Sequence, residues 1–258
     1  MSALRRFVTP LAIVAAAAVL YIMFPYDVLG LAFAAPSKDL STVAAVIFWV
    51  LSIVVVLALF EDRKAPEAQT VEIEGPAFTR YLFSNTRAGL LWLPIRLFVG
   101  TQWLEAGLHK LQGTGWLDGG VALKGFWTAA VAVPEAGKPP ITYEWYRGFI
   151  QLLLDNHAYT WFSYLIVFGE IAVGLGLVLG ILTGFAAFFG ALMNMSFLLA
   201  GSASTNPVMF TLAVGLIVAW RVAGYYGLDR YLLPAIGVPW RRTASAPATA
   251  PARRPATS

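Results

Sequence analysis

Charged and polar side chains within an apolar stretch of helix length constrain this sequence more than any other feature. Residues 96–110 read RLFVGTQWLEAGLHK, which is apolar enough for a bilayer. The stretch nevertheless contains Arg96, Gln102, Glu105, His109 and Lys110. Lipid solvates charge poorly, so an ionisable residue in a spanning helix normally faces a protein interior or a water-filled cavity. The stretch therefore predicts a polar site inside a membrane domain.

Helical spacing predicts which of these side chains act together. At about 100° per residue, Thr101, Gln102, Glu105 and His109 share one face of the helix. Glu105 and His109 are four residues apart and could share a hydrogen bond. Lys110, and His109 with it, could instead extend to the membrane interface. Glu105 lies too deep for that, and we expect it to point inwards.

Composition predicts an all-α integral membrane protein. Of the 258 residues, 59% are hydrophobic and 12% are charged, against about 25% charged in soluble domains. The apolar runs are unbroken and of helix length, unlike the alternating strands of a membrane β-barrel. Net charge is +4, but the basic residues lie at span ends and in the tail. This pattern is typical of a multi-pass protein of the cell membrane, in contact with lipid, and not of a nucleic-acid-binding protein.

The apolar runs divide the chain into four parts. Six spans are predicted, at residues 9–24, 42–60, 88–110, 159–179, 185–199 and 208–222. The first could be a signal peptide, but the apolar run continues to residue 35, which favours a retained span. The parts are an N-terminal transmembrane helix pair (1–60), a cytoplasmic connector (61–87), a four-helix membrane domain with an interfacial loop at 111–158 (88–225) and a basic, Pro/Ala-rich cytoplasmic tail (226–258).

Three local patterns predict how the membrane domain is built. Pro94 should kink the third span just before Arg96. The small residues Ala172, Gly176 and Gly180 should let another helix approach the fourth span closely. The loop should contain interfacial helices at 121–133 and 143–154, with aromatic side chains at headgroup level.

The sequence offers little for a resident cofactor. It has no cysteine, which excludes disulfides and Cys-ligated iron–sulfur clusters. Its two histidines, His109 and His157, are not spaced to hold a haem between helices, and no Gly-rich dinucleotide turn is present. We therefore expect no haem, iron–sulfur cluster, flavin or metal site. Any redox chemistry would use a diffusible quinone or the cofactor of a partner.

Three segments resemble the DoxX family of small four-helix membrane proteins. They are RLFVGTQWLEAGLHKL at residues 96–111, FGEIAVGLGLVLG at 168–180 and NMSFLLAGSASTNP at 194–207. The last segment and the long loop are similar to the DoxD-like branch, the membrane subunit of thiosulfate:quinone oxidoreductase. The resemblance covers about residues 88–225 and implies a four-helix bundle, here preceded by the extra N-terminal pair.

The resemblance also implies site residues. The functional positions would be Arg96, Glu105, Lys110 and Glu170. Arg96 and Lys110 could hold an anion such as thiosulfate or polarise a quinone carbonyl, while Glu105 or Glu170 could exchange the protons of quinone reduction. Alternatively, Arg96 and Glu170 only pair across two helices. Further candidate binding residues lie in the same half of the membrane, namely Gln102, His109, Asn194, Ser202 and Asn206.

These residues leave three functions open. The chain could be the membrane subunit of a redox system that passes electrons from a small sulfur compound to quinone. It could be a non-catalytic scaffold for redox or detoxification enzymes, or a small-molecule transporter, although no internal repeat supports the last. Because the sequence predicts no cofactor that could accept electrons, we expect a second protein subunit or a homo-oligomer.

Membrane topology is the first testable prediction. Lys and Arg near the span ends place both termini in the cytoplasm. Reporter fusions at residues 75 and 138 should therefore report opposite sides of the membrane. The same side for both fusions would contradict the six-span topology.

Overall fold

The computed structural model describes residues 76–238 and Trp240, together with the isolated helical positions Val43, Val46, Ile47 and Val50. The predicted N-terminal pair and the tail from residue 241 otherwise lie outside the described residues. Within that described part all regular structure is helical. The helices are α1 (Ala77–Ser84), α2 (Gly89–Gln112), α3 (Val121–Val131), α4 (Glu144–Asp155), α5 (Tyr159–Leu179), α6 (Thr183–Leu199), α7 (Asn206–Val218), α8 (Trp220–Ala223) and α9 (Asp229–Ala235).

Helices α2 and α5 form a close antiparallel pair. A Cβ at Gly100 would lie 2.9 Å from the Leu177 Cβ, and one at Gly174 would lie 2.6 Å from the Leu104 backbone nitrogen. Gly107 in turn lies against Glu170. Such distances leave no room for a side chain, so glycine allows the two backbones to touch, as is common between membrane helices.

The predicted row of small residues is therefore only partly right. Gly176 contacts Ala186 of α6, and Gly180 ends α5 in the left-handed conformation. Ala172, by contrast, is exposed. The contact with α2 falls instead on Gly174, because that residue shares a face with the buried Val167, Glu170 and Leu177.

Helices α6 and α7 complete the core against this pair. Gly190 of α6 lies beside the indole of Trp103, and Gly215 of α7 lies beside Trp92. The first hydrophobic core contains buried side chains from α2, α5, α6, α7 and α8, namely Trp92, Val99, Trp103, Val173, Leu177, Ala187, Met209, Leu216, Val222 and Ala223, together with Ala219. Helix α2 contains Pro94 and continues through it.

The long loop folds into a second core. Helices α3 and α4 occupy nearly the predicted ranges. Their aromatic residues Trp127 and Tyr146 are 4% and 7% exposed, and they pack with Leu123, Ile150 and Ile166. Trp127 and Tyr146 are thus packed inside the protein and do not form a lipid-facing belt, while the depth of these aromatics relative to the headgroups stays a prediction.

Among the described helices, one is both long and apolar enough to cross a membrane. This is α5, with 21 residues, and its bounds are those predicted for the fourth span. Helix α2 has 24 residues but carries Arg96, Glu105 and Lys110. Helices α6 and α7 have 17 and 13 residues, short of the roughly 20 that a span needs. The six-span topology stays a prediction.

Arg96 joins the α5–α6 turn to the C-terminal segment. It is 1% exposed, and its Nη2 donates to the Tyr226 carbonyl at 3.1 Å. Gly180 and Gly227 lie directly against its guanidinium group. Nearby, the Asp229 carboxylate accepts hydrogen bonds from the backbone nitrogens of Leu182 and Thr183, where α6 begins. Folded structure thus extends into the segment that the sequence assigns to the tail from residue 226.

Replacement of Gly180 tests this contact. Gly180 has φ +67°, and a Cβ there would overlap Nη1 of Arg96. We expect Gly180→Ala to lower the free energy of unfolding by more than the roughly 1–2 kcal/mol that a left-handed alanine costs, as measured by denaturation in detergent. Gly137→Ala is the matched control, because Gly137 has φ +96° but nothing within 4 Å. Equal losses for the two variants would show that Arg96 does not pack against this turn.

Candidate functional site

A polar pocket of about 370 Å³ lies at the end of the bundle where α2 and α6 finish and α5 and α7 begin. Its walls come from α2, α3, α5, α6 and the turn between α6 and α7. The polar or aromatic side chains lining it are Gln102, Trp103, Lys110, Trp116, Phe126, Glu170, Asn194, Phe197, Ser202, Ser204, Thr205 and Asn206. Its volume lies within the usual range of small-molecule sites.

An ion pair between Lys110 and Glu170 forms one wall of the pocket. The Lys110 Nζ donates to both carboxylate oxygens of Glu170, at 3.0 and 2.7 Å. Glu170 is fully buried, whereas the Lys110 side chain is 18% exposed. The Lys110 ammonium also lies 5.3 Å from the centre of the Trp116 ring, in a cation–π contact. The ion pair provides hydrogen bonds to both carboxylate oxygens of Glu170, and Lys110 faces the cavity.

The expected pairing of Glu170 with Arg96 is wrong. Glu170 lies level with Gly107 in the antiparallel contact, and Lys110 is one turn further along α2. Arg96 is eleven residues earlier than Gly107, or roughly 16 Å away along the helix axis. The register of the two helices therefore pairs Glu170 with Lys110 and places Arg96 at the opposite end of the bundle.

Asn194 is the clearest sign that the pocket is built for a ligand. Its side chain is 1% exposed, and neither its amide nitrogen nor its amide oxygen has a hydrogen-bond partner among the described residues. The indole nitrogen of Trp103 is also buried, and it has no hydrogen-bond partner among the described residues. Leaving such groups unpaired costs stability. Both residues line the pocket, so a ligand there could supply the missing partners.

The turn after α6 forms part of the wall of the pocket. Asn206 donates its amide to the Ser202 carbonyl at 2.8 Å, which holds the turn closed on itself. Ser204 has φ +37°, a conformation that few non-glycine residues adopt. Hydroxyl groups from Ser202, Ser204 and Thr205 therefore stand beside the cavity.

The structure brings together six of the nine predicted site residues. Gln102, Lys110, Glu170, Asn194, Ser202 and Asn206 line the pocket. Glu105 and His109 are exposed, and Arg96 is buried elsewhere, so the expectation that these three join the same site was wrong. The inward face of α2 runs through Trp103, Ala106 and Lys110, and Glu105 lies on nearly the opposite side of the helix.

An apolar cleft of about 760 Å³ adjoins the polar pocket. It lies between α5 and α6 and reaches α3 and α4. The hydroxyl groups of the described residues lining it are both engaged, since Tyr146 donates to the Ser196 carbonyl at 2.9 Å and Ser196 donates to the Leu192 carbonyl. Burial raises the pKa of Tyr146 to about 12, so its hydroxyl stays a donor at neutral pH. Leu123, Phe126 and Phe197 line both cavities.

Comparison with protein families identifies the class of this helical domain. Residues 91–203 match the DoxX family. The chain therefore carries a domain of this membrane family, which contains Lys110, Glu170, Asn194 and Ser202. The match does not distinguish the DoxD-like branch. No curated protein and no solved structure matches the chain. Within the described residues, no group of three or more His, Asp or Glu side chains could hold a metal ion.

A double-mutant cycle tests the ion pair. Lys110→Met would leave the buried Glu170 carboxylate unpaired, and Glu170→Gln would leave Lys110 without its counter-charge. Each variant should lower the free energy of unfolding by about 3–5 kcal/mol, and the double variant should lose clearly less than the sum. We would measure this by denaturant titration in detergent.

The control cycle combines Glu170→Gln with Arg96→Met. These residues do not touch, so their effects should add to within about 0.5 kcal/mol. Strong coupling in this cycle, together with additivity between Lys110 and Glu170, would contradict the helix register described above.

Proposed function

We propose that the chain is the membrane subunit of a redox system that delivers electrons to a quinone, and that the quinone head group binds in the polar pocket. The unpartnered Asn194 amide carries this proposal. A quinone has carbonyl oxygens that accept hydrogen bonds, and its reduced form has hydroxyl groups that donate them. The Asn194 nitrogen suits the first form and the Asn194 oxygen suits the second.

Charge in the pocket favours a neutral ligand. Lys110 and Glu170 are the charged residues among those described around the cavity, and they neutralise each other. A dianion such as thiosulfate would lie beside the Glu170 carboxylate and compete with it for Lys110. Arg96, which the sequence offered as a second cation, is at the other end of the bundle. The quinone therefore fits this pocket better than the anion does.

Glu170 and Lys110 suit the proton transfers of quinone chemistry. Reduction of a quinone to a quinol takes up two electrons and two protons. Joining two thiosulfate ions through a new sulfur–sulfur bond releases two electrons, which would balance the reaction. The proton of this ion pair is on Lys110, which faces the pocket and could pass it to the reduced head group. Oxidation of the sulfur compound would occur on a partner subunit, because the pocket is matched to the acceptor.

Replacement of Asn194 by leucine tests this proposal. Asn194→Leu removes two unpaired polar atoms and keeps the number and branching of the side-chain heavy atoms, so the protein without ligand should melt at the same temperature or higher. Binding of a water-soluble quinone analogue should weaken about tenfold or more, as followed by quenching of the fluorescence of Trp103 and Trp116. Asn156→Leu, at an exposed position, is the control and should bind like the wild type. Unchanged affinity in Asn194→Leu, or no binding by the wild type, would contradict the proposal.

Turnover distinguishes a subunit from a complete enzyme. Membranes that contain the chain and its partner should reduce the quinone analogue when thiosulfate is added. The purified chain alone should bind the quinone without reducing it. Robust turnover by the purified chain would overturn the need for a partner.

A further inference from the structure

Resting on the proposed function, the geometry points to the apolar cleft between α5 and α6 as the site of the quinone's isoprenoid chain. The head group would lie in the polar pocket and the chain would pass beside Phe126 and Phe197. The protein would then select quinones by their hydrophobic tails as well as by their rings. Four observations support this assignment: the contact between the two cavities, the shape of the cleft, its chemistry and its opening.

The two cavities share three of their lining side chains. Leu123, Phe126 and Phe197 line both. Phe126 and Phe197 meet edge to face with ring centres 6.2 Å apart, and both rings are only half-buried. Rotation of an aromatic side chain is a small, fast motion compared with movement of a helix. One amphipathic molecule could therefore occupy both cavities without a change of fold.

The dimensions of the cleft suit a hydrocarbon chain. Along α5 its lining extends from Phe162 to Gly176, which is roughly 20 Å of helix. The cleft, with a volume of about 760 Å³, is thus long enough for several isoprene units.

The chemistry of the cleft also excludes polar occupants. Tyr146 and Ser196 already donate their hydroxyl hydrogens to carbonyl groups, so they offer little to a polar ligand. Hydrophobic side chains form most of the remaining lining. Burial of an apolar chain there would gain free energy in proportion to the area removed from water.

Exposed apolar residues line the opening of the cleft. Leu165, Leu175 and Phe189 border it and are 57%, 43% and 52% exposed. In a bilayer these positions would face lipid, where isoprenoid quinones reside. A quinone could therefore enter sideways from the membrane, head first towards Phe197, and leave its chain in the cleft.

Filling the cleft tests the inference. Gly169 and Ala172 line it from one face of α5. A Cβ at Gly169 would meet only the Met193 sulfur, at 3.7 Å, so a side chain can begin there without a clash against a helix backbone. In Gly169→Phe and Ala172→Phe, affinity for a long-chain quinone should fall about tenfold or more. Affinity for the same ring without an isoprenoid chain should stay unchanged. Ala129→Phe, exposed and away from the cleft, is the matched control.

Each outcome bears on a different proposal. If the filled variants bind long-chain and chainless quinones as the wild type does, the chain lies outside the cleft and this inference fails, while the head-group site stands. If the wild type binds no quinone of either kind, the proposed function fails and this inference with it. If phospholipid co-purifies with the wild type but not with the filled variants, and quinone chain length has no effect, the cleft is a lipid site and the inference is overturned.

Discussion

The contact between the backbones of α2 and α5 determines where the buried charged groups of these two helices lie. Gly100, Gly107 and Gly174 allow the two helices to touch, and such a contact tolerates no sliding because a shift of one residue would bring a side chain into the gap. That fixed register sets Lys110 against Glu170 and holds Arg96 beside Gly180. The ion pair depends on these glycines, because a larger distance between the two helices would move the Lys110 ammonium away from the Glu170 carboxylate.

Several polar groups in this domain lower the stability of the folded state. A buried ion pair is rarely better than apolar packing, and the unpaired amide of Asn194 and indole of Trp103 are unfavourable as they stand. All four groups line one cavity, beside a cleft that has no free hydroxyl among its described lining. A protein tends to retain such costs where they serve a ligand. The pairing of a neutral polar pocket with an apolar channel matches a molecule with a carbonyl-bearing head and a hydrophobic chain.

Much of this arrangement could be predicted from the sequence, and the exceptions have physical causes. Continuous apolar runs located α5 and α6, polar residues pointed to Asn194 and the turn at 202–206, and the family resemblance pointed to Lys110 and Glu170. The rotation of α2 could not be read in the same way, because Gln102 is polar and lies at the edge of two possible inward faces. One face contains Glu105 and the other Lys110. The partner of Glu170 depended on helix register, which distant glycines decide and which no local pattern reveals.

Asp229 makes the shape of the cleft depend on the order in which the chain folds. Hydrogen bonds join Leu228 and Asp229 to the end of α5 and cap the start of α6, and the turn they hold contributes Ile181 and Leu182 to the cleft. During synthesis α6 is made some thirty residues before Asp229. Its first turn therefore stays uncapped until the C-terminal segment folds back onto it. The cap at the start of α6, and with it this part of the cleft wall, can therefore be completed only after the C-terminal segment has been made.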